Sequence, residues 1–459
     1  MIPYTIASAE ARLRATSIAL AIALAVLPMA GCWPTEMLEL TDPDIINPTD
    51  VQSAAGANAV RVGALARFNS ATSGGESLLL LGGLFADEWI NGDSFIARQE
   101  IDQRVITENN TFLTTANRVL HRARLSAEQA VGLLAQYNPS AAPWQVAEMH
   151  FVQAYVVNIV AEHYCDGLVF STVVEGREQF GSQMTTTAAF ERALGHTQDG
   201  LALITGTTAN DVRVRNALQV TRGRILTNLG QYAAAATAVA GVPTGYQYTM
   251  LHSLTTNSNT TWVLNNLARR YSVSDNEGGN GMDFASAGDP RVPVCLGGTA
   301  ECQAIGVTER RRDDLFEPYH VQMLWTARES PVGIVRGVEA RLIEAEALLA
   351  TDPGAALDIL NAARATVPGL DPLADEGDTP GRVDQLFRER AFWLFGRGHR
   401  VGDMRRLIRQ YGRAENTVFP TGAWHKAGSY GTDVTIPVPL AESNNPNVPA
   451  GQTCMNRNP

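Results

Sequence analysis

Apolar residues recur at spacings of three and four along most of the chain after residue 50, which is the periodicity of amphipathic α-helices. Alanine and leucine supply most of these positions, with polar or charged residues between them. The apolar run LLLLGGLFADEWINGDSF predicts one further helix, which ends in a loop rich in polar and aromatic residues. The other predicted helices cover residues 51–68, 112–134, 144–164, 188–204, 212–229, 232–240, 335–349, 355–365, 383–395 and 403–411.

Short breaks between several of these helices predict helical hairpins. Pro143 stands near the first turn of one helix, Gly230 marks a tight turn, and Asp352-Pro353 offers an N-cap followed by a first-turn proline. Helix pairs of about 34 residues with alanine and leucine in the seams are typical of tetratricopeptide-like stacking. No strict repeat signature recurs, so the predicted fold class is mostly α, a tetratricopeptide-like helical hairpin stack.

The helical pattern is interrupted between residues 243 and 330. Gly, Asn, Ser and Thr dominate this segment, and single aromatic residues are scattered through it. A long irregular, loop-rich insertion in a helical body is usually functional. The chain after residue 417 is similarly irregular, with a short strand-like stretch, TDVTIPVP, at residues 432–439.

The first 31 residues have the layout of a lipoprotein signal peptide. Arg12 and Arg14 form a basic start, and SIALAIALAVLPMA is an apolar run too short for a spanning helix. The run ends in Met-Ala-Gly before Cys32, which is the expected lipidation site. The alternative is an ordinary signal peptide followed by a chance cysteine. Residues 32–50 are then expected to form an extended leash, and residues 51–459 a single helical domain.

Charge narrows the range of partners. The formal net charge is −11, and removal of residues 1–31, with one acidic and two basic side chains, gives −12. Nucleic acid is therefore not an expected partner, because binding to phosphates requires a basic face. Hydrophobic residues make up 45% of the chain, which is enough for a substantial core.

Five cysteines are present, and Cys32 is assigned to lipid, so four remain. An even number in an oxidising compartment suggests disulfides. Cys295 and Cys302 enclose six residues of a glycine-containing loop and are the candidate pair, which leaves Cys165 and Cys454 to pair by elimination. Buried free thiols are the alternative. A zinc site is not expected, because the spacings contain no CxxC pair.

Catalytic motifs of the HExxH, GxSxG and P-loop types are absent from the sequence. Lys426 is the only lysine and has no supporting motif around it. His150 and His163 share one predicted helix but are thirteen residues apart, too far to share a metal ion. The sequence therefore predicts no catalytic residue, no metal site and no cofactor.

Three groups of charged residues leave alternatives open. The adjacent carboxylates Asp87 and Glu88 could act in acid/base chemistry, but ordering of the following loop is the favoured interpretation. A calcium site with a spacing unlike an EF-hand is a second possibility, built from Asp275, Asn276, Glu277, Asn280 and Asp283. A structural ion-pair network, with an anion-binding patch as its alternative, is predicted for Glu389, Arg390, Arg397, Arg400, Asp403 and Arg405.

Two segments combine flat apolar faces with planar polar groups, which is what sugar binding requires. The first is a loop containing Trp89, Asn91, Asp93, Phe95 and Arg98. The second lies in the insertion and contains Trp262, Asn265, Tyr271, Asp283, Phe284, Trp325 and Arg328. Together they are predicted to form the ligand site. The alternative for each aromatic residue is that it fills the underside of a long loop.

Six strings occur in order behind the lipid cysteine. The first three are LELTDPDIINPTDVQSAAGANAVRVGALARF, GGLFADEWINGDSFIARQEIDQR and AEMHFVQAYVVNIVAEHYCDGLVF. The others are VEARLIEAEALLA with AALDILNAARA, then LFRERAFWLFGRGHRVGDMRRL and IPVPLAESNNPN. Together they resemble the SusD/RagB family of outer-membrane nutrient-binding lipoproteins over nearly the whole mature chain. The family's Pro-Leu step is absent, since Gly167-Leu168 stands without the proline.

The resemblance implies a SusD-like fold and a lipid-anchored protein of the outer membrane that faces the cell exterior. It implies binding of a glycan, or sometimes a peptide, and delivery to a SusC-like TonB-dependent transporter. On this interpretation the protein is a binding protein and not an enzyme. The two alternatives are a cell-surface glycan-degrading enzyme and a tetratricopeptide-type scaffold for protein partners.

Overall fold

Helices dominate the residues that the computed structural model describes, which are 51–174 and 177–459. The expected signal peptide, the lipidated Cys32 and the leash of residues 32–50 lie outside the described residues. The helices in the first half are α1 (Ala54–Asn69), α2 (Leu78–Phe85), α3 (Ile96–Gln103), α4 (Thr111–Tyr137), α5 (Pro143–His163), α6 (Thr186–Leu203), α7 (Ala209–Asn228) and α8 (Tyr232–Val239). Those in the second half are α9 (Thr260–Trp262), α10 (Ala300–Ala304), α11 (Gly337–Leu348), α12 (Pro353–Arg364), α13 (Thr379–Trp393), α14 (Arg400–Arg409) and α15 (Glu415–Val418).

Short strands form four two-stranded antiparallel sheets among the described residues. The strands are β1 (Trp89–Asn91), β2 (Thr172–Val174), β3 (Arg177–Gln179), β4 (Gln247–Met250), β5 (Tyr271–Val273), β6 (Val294–Leu296), β7 (His320–Gln322) and β8 (Val332–Arg336). The pairs are β1 with β5, β2 with β3, β4 with β8, and β6 with β7. Two π-helical turns, Ser70–Gly74 and Val263–Leu267, and two 3₁₀ turns, Glu277–Gly279 and Leu440–Asn444, complete the regular structure.

The helices pack one on the next as a stack of hairpins. Helix α4 packs between α1 and α5, α5 packs on α6, α6 on α7 and α7 on α8. The series continues from α8 to α11, α12 and α13. Helix α5 is buried along almost its whole length from Ala147 onward, so it forms the centre of the core. The predicted helical hairpin stack is confirmed, and no described helix has the length and hydrophobicity to span a membrane.

Capping residues place several helix starts earlier than the apolar periodicity predicts. Helix α7 begins at Ala209 because Thr208 and Asp211 form a capping box, in which each side chain accepts from the other's backbone N–H. Helix α13 begins at Thr379 behind Asp378, whose carboxylate accepts from the Gly381 N–H at 2.7 Å. Capping residues are polar and precede the first apolar residue of the repeat. A prediction based on apolar positions alone therefore places the first residue of such helices too late.

Two predicted elements differ in the structure. The helix predicted from residue 335 begins at Gly337, because Val332–Arg336 is strand β8 and pairs with β4. The strand-like residues 432–439 make a single parallel bridge, between Tyr164 and Ile436, in place of a strand. Pro437 and Pro439 have no N–H to donate, so the ladder cannot continue past Ile436.

Both expected disulfides are formed. Cys295, the middle residue of β6, is joined to Cys302 of α10, with a Cα–Cα distance of 5.5 Å. Cys165, two residues after the end of α5, is joined to Cys454 near residue 459, with a Cα–Cα distance of 5.8 Å. Both distances lie in the usual range for disulfides. The pairing inferred by elimination is therefore confirmed.

Candidate functional site

The pairing of β1 with β5 brings together the two segments predicted to form the ligand site. Trp89 lies opposite Val273, and Asn91 lies opposite Tyr271. Asn265 strengthens the junction, since its side-chain amide donates to the Tyr271 carbonyl at 2.7 Å. Strands about 180 residues apart in sequence thus share one short sheet. Because the two strands are antiparallel, the loop after β1 lies beside the loop before β5.

Four of the predicted aromatic residues are buried under these loops. Trp89, Tyr271, Phe284 and Trp325 are each at most 4% exposed. Trp89 and Trp325 meet at Gly396, where a Cβ atom would come within 3.5 Å of Trp89 and 3.2 Å of Trp325. In this arrangement the four rings fill the core and support the loops above them.

Phe284 and Asp283 contact the helical body. The Phe284 ring packs 5.1 Å from that of Phe392 and 4.9 Å from that of Phe395, measured between centroids. The Asp283 carboxylate pairs with Arg388 of α13 at 2.7 and 3.1 Å. The structure thus joins both residues to α13 and the turn after it.

The predicted polar residues Asn91, Asp93 and Arg98 form a buried network. The Arg98 guanidinium donates to both carboxylate oxygens of Glu76, at 2.5 and 2.7 Å, and also pairs with Asp93. The Tyr271 hydroxyl donates to Glu76 at 2.6 Å. Burial raises the pKa of the Asp93 carboxyl, although the charge of Arg98 opposes this rise. These groups use most of their hydrogen-bonding capacity within the protein.

Phe95 is the predicted aromatic residue that is most open to solvent, with half of its surface exposed. It lies in the first of three loops that meet on one face: residues 92–96, 267–271 and 311–317, called here the three-loop surface. Four other large apolar side chains on this surface are at least half exposed: Ile96, Leu267, Leu315 and Phe316. Exposed apolar side chains gathered in this way mark binding sites in soluble proteins.

Backbone hydrogen bonds hold the three loops together. Gly92 N donates to Arg270 O at 2.8 Å, and Asp314 N donates to Gly92 O at 2.7 Å. Asp313 N donates to Arg269 O at 3.1 Å. Gly92 is required at this junction, because a Cβ atom there would lie 2.6 Å from the Arg269 carbonyl oxygen. The loops therefore form a connected surface.

Lys426 fastens the three-loop surface from a fourth segment. Its ammonium group pairs with the Asp314 carboxylate at 2.9 Å and also donates to the Asp93 carbonyl. Burial raises the pKa of Asp314, but the hydrogen bond from Lys426 and the charge of Arg312 outweigh it, so the pKa is lowered. The only lysine of the chain therefore has a structural role beneath this surface.

Arginine side chains surround the exposed apolar residues. The Arg270 guanidinium lies 5.4 Å from the centre of the Phe95 ring, and that of Arg312 lies 5.8 Å from the centre of the Phe316 ring. The Arg311 side chain is 61% exposed and pairs with Glu317 at 2.9 Å. This pairing lowers the pKa of Glu317. The surface thus combines apolar faces with exposed guanidinium donors.

An open cleft of about 550 Å³ adjoins the apolar residues, and Arg269, Arg311, Leu315 and Glu317 are among its lining residues. Arg269 and Leu315 have φ values of 60° and 68°, which is the left-handed region that residues other than glycine rarely adopt. Residues held in this region are enriched at binding and catalytic sites.

Trp262 and Arg328 are both partly exposed and contact each other, with the guanidinium 5.8 Å from the ring centre. Asn259 holds the two segments together, because its side chain donates to Ser330 O at 2.9 Å and its N–H to Arg328 O at 2.8 Å. Among the predicted residues of the insertion, these two present an aromatic face and a cation near solvent.

The carboxylate pair Asp87-Glu88 is buried and bound to the body of the protein. Asp87 pairs with Arg400 at 2.6 and 2.7 Å and accepts from Met282 N at 3.0 Å. Glu88 accepts from Gly396 N at 2.9 Å, and burial raises its pKa to about 8. Both groups are 1% exposed. They order segments around Met282 and Gly396 that are distant in sequence, and not the loop that follows them, so the favoured interpretation had the ordering role right but the segment wrong.

The structural role predicted for the six charged residues is confirmed. Four of them form ion pairs, whereas Arg397 and Arg405 donate to backbone carbonyl groups. Arg390 pairs with Asp403 at 2.8 and 2.9 Å, and Glu389 pairs with Arg364 at 2.6 Å. All six residues of that network are at most 8% exposed, so they offer no open anion-binding patch.

The five residues considered for calcium do not converge on a common site. Asp275 binds Ser286, Glu277 binds Tyr430, and Asp283 binds Arg388. The carboxylates are therefore engaged with separate protein partners.

Several residues of the three-loop surface were not predicted from the sequence. They are Ile96, Leu267, Arg269, Arg270, Arg311, Leu315 and Phe316. The run RRRDDLFEP carries a usable signal, because two large apolar residues follow five charged ones inside a loop-rich segment. The convergence of this run with residues 92–96 could not be read from the sequence, since it depends on the pairing of β1 with β5.

Comparisons with known proteins give structural relatives only. No family model matches the chain, and no curated protein matches it. Among solved structures, a SusD superfamily protein from Parabacteroides distasonis is 14% identical with a TM-score of 0.63, over 87% of this chain and 98% of its own. A SusD-like carbohydrate binding protein from Bacteroides fragilis is 13% identical with a TM-score of 0.63, over 87% and 99%.

A third solved structure, a SusD superfamily protein from Bacteroides thetaiotaomicron, is 14% identical with a TM-score of 0.62, over 89% of this chain and 100% of its own. The similarity in each case spans almost the whole relative and most of this chain. The resemblance inferred from the ordered strings is thus confirmed for the fold. The chain has the SusD-like fold, mostly α and built on a tetratricopeptide-like stack of helical hairpins.

Proposed function

We propose that this protein is a SusD/RagB-type lipoprotein of the bacterial outer membrane that binds an oligosaccharide at the three-loop surface. It is anchored by lipid on Cys32 and faces the cell exterior. It delivers its ligand to a SusC-like TonB-dependent transporter. The SusD-like fold supports this proposal, and one relative with this fold is described as a carbohydrate binding protein.

The observation that carries the binding proposal is the exposed pair of aromatic rings beside guanidinium groups. Phe95 and Phe316 are each about half exposed, and Arg270 and Arg311 present N–H donors on the same surface. An aromatic face packs against the C–H side of a pyranose ring, and planar donors bind its hydroxyl groups. Trp262 and Arg328 offer the same combination and are proposed as further ligand contacts.

The buried residues of the predicted site have a supporting role in this proposal. Trp89, Tyr271 and Trp325 hold the loops from below, and Arg98 fixes the loop of residues 92–96 through Glu76 and Asp93. Truncation of these residues should therefore destabilise the protein. The variants that test ligand contact directly are those of exposed residues.

Binding to an oligosaccharide array, followed by calorimetry with the best ligand, tests the proposal. We expect Phe95→Ala and Phe316→Ala each to weaken binding by about tenfold or more, since each aromatic contact contributes on the order of 1–2 kcal/mol. Phe180→Ala is the matched control, because Phe180 is 44% exposed and lies next to β3, outside the three-loop surface. Equal affinity in all three variants would contradict the assignment.

A glycan-degrading enzyme would release products from the same oligosaccharides. We expect none from purified protein, because the adjacent carboxylates Asp87 and Glu88 are buried and paired. Product formation that persists after further purification would favour the enzyme alternative over the binding protein.

The anchor and the transporter need tests in the native cell. We expect Cys32→Ala to abolish metabolic labelling with a fatty acid and to release the protein from outer-membrane fractions. We also expect an affinity-tagged wild-type protein to copurify with a large β-barrel protein from detergent extracts. Normal lipid labelling of Cys32→Ala would overturn the anchor, and recovery without a barrel partner would contradict the delivery role.

A further inference from the structure

Helices α5 and α6 bring two histidines and one aspartate close together. None of the three residues belongs to the three-loop surface. His150 lies on α5, and His196 and Asp199 lie one turn apart on α6. One ligand atom from each residue can be chosen so that all three lie within 4.8 Å of one another. Among the described residues, this is the only such group of three or more histidine, cysteine or carboxylate side chains.

The local packing explains how the side chains meet. Gly200 follows Asp199, and a Cβ atom there would lie 3.1 Å from the Cβ of His150. The missing side chain lets the two helices approach closely at this point. The two imidazole rings face each other with centroids 6.4 Å apart and an angle of 35° between their planes.

The imidazole nitrogens are available for a ligand. His150 Nδ1 and His196 Nε2 are buried and have no hydrogen-bond partner in the described part of the chain. A buried polar atom without a partner has an energetic cost and calls for an explanation such as an ion or a water molecule. Burial lowers the pKa of both histidines, which disfavours the protonated rings.

We propose that His150, His196 and Asp199 form a binding site for a divalent transition-metal ion such as zinc. Two imidazoles and one carboxylate are ligands that zinc accepts, with bonds of about 2.0–2.2 Å to nitrogen and oxygen. A tetrahedral ion with such bonds separates its ligand atoms by roughly 3.4 Å, so small side-chain rotations suffice to close the site. Asp199 is exposed, which leaves the fourth position open to water.

Such an ion would link the two central helices of the stack. It bridges one residue of α5 and two residues of α6, so binding stabilises the folded state by mass action. The charge of Arg192, one turn before His196, lowers the His196 pKa and would also repel a bound dication. We therefore expect removal of the Arg192 charge to strengthen zinc binding, whereas removal of a histidine ligand weakens it.

Titration of the mature wild-type protein with zinc chloride, followed by calorimetry and by thermal unfolding, tests this site. We expect one zinc ion to bind and to raise the Tm. His150→Gln and His196→Gln should each weaken binding by more than about tenfold and remove the rise in Tm. His252→Gln is the matched control, because His252 is also partly buried but binds Ser73 and Asn257, outside this cluster.

Two further results decide the proposal. Cobalt(II) in place of zinc should give the visible absorption of a tetrahedral ion with the wild-type protein and not with His196→Gln. Arg192→Gln should bind zinc more tightly than the wild type, which a loss of folding could not produce. Zinc affinity that is equal in the wild type and in the folded His150→Gln and His196→Gln variants would overturn the site, as would unchanged affinity in Arg192→Gln.

Discussion

At the scale of single residues, Glu88 shows how much depends on the surroundings of one carboxyl group. One oxygen accepts from Gly396 N, and the other has no hydrogen-bond partner in the described structure. Burial raises the pKa to about 8 from an ordinary value of 4.5, and the neighbouring Asp87 adds to the rise. Glu88 is therefore protonated at neutral pH in the folded protein.

This shift makes stability depend on pH. Below pH 4.5 the Glu88 carboxyl is protonated in both the folded and the unfolded state, so its ionisation takes nothing from the free energy of unfolding. Between pH 4.5 and 8 only the unfolded state ionises, and the folded state loses stability as pH rises, by up to about 1.4 kcal/mol per pH unit. We expect Glu88→Gln to remove this loss. The free energy of unfolding of the variant, relative to that of the wild type, should therefore increase as pH rises from 4.5 to 8. Urea unfolding at several pH values measures the difference, and parallel profiles would contradict it.

The predictability of the candidate site is also a matter of single residues. In the sequence, Trp89 and Phe95 are equally good candidates for ligand contact, because both are aromatic and lie in one loop beside polar residues. The structure buries Trp89 against Phe395 and Gly396, about 300 residues later, and leaves Phe95 half exposed. Composition singles out this loop, but which of its aromatic rings faces solvent depends on contacts that no local pattern contains.

At the scale of elements, Gly92 controls the junction of the three loops. It lies directly after β1, and its carbonyl and N–H bind the two other loops. A Cβ atom at this position would meet backbone, the Arg269 carbonyl oxygen at 2.6 Å, and the Arg312 Cβ at 3.1 Å. Backbone cannot rotate away as a flexible side chain can, so a larger residue must separate the loops.

We expect Gly92→Ala to lower the free energy of unfolding by about 1–3 kcal/mol, the usual cost of overpacking. Amide exchange should accelerate at Gly92 and Asp314, because the hydrogen bonds that their N–H groups donate across the junction would be strained. Gly132→Ala is the matched control, since Gly132 is exposed near the C-terminal end of α4 and a Cβ atom there meets nothing within 4 Å. That variant should gain about 0.5–1 kcal/mol. Unchanged exchange in Gly92→Ala would show that the loops do not depend on this contact.

The elements differ in how far the sequence predicts them. The hairpins from α4 to α8 follow from local periodicity, because each helix contains its own pattern of buried positions. Strands β1, β4, β5 and β8 are three to five residues long and pair across large sequence separations. A strand this short carries too few alternating positions to show a period of two, which explains why the sequence pattern predicts no strand at residues 332–334.

At the scale of the whole molecule, the Cys165–Cys454 disulfide ties the end of the chain to the central helix. Its two cysteines are 289 residues apart in sequence, whereas those of Cys295–Cys302 are seven apart. A cross-link restricts the unfolded chain more strongly when it closes a longer loop. The two disulfides should therefore contribute unequally to stability.

We expect the double variant Cys165→Ser/Cys454→Ser to lose roughly 3 kcal/mol more of unfolding free energy than Cys295→Ser/Cys302→Ser, from the logarithmic dependence on loop length. Denaturant unfolding of the two double variants, each compared with the oxidised wild type, measures the difference. Equal losses would mean that contacts around each bridge, and not loop closure, determine its contribution.

The single lysine has a practical consequence for such experiments. A lysine-specific protease can cut this chain only after Lys426, whose ammonium is nearly covered and bound to Asp93 and Asp314. Cleavage thus requires the three-loop surface to open around that side chain. The released piece, residues 427–459, would stay attached through Cys454 until a reducing agent is added. One proteolytic cut, visible only on a reducing gel, therefore reports the opening of this one surface in an otherwise intact protein.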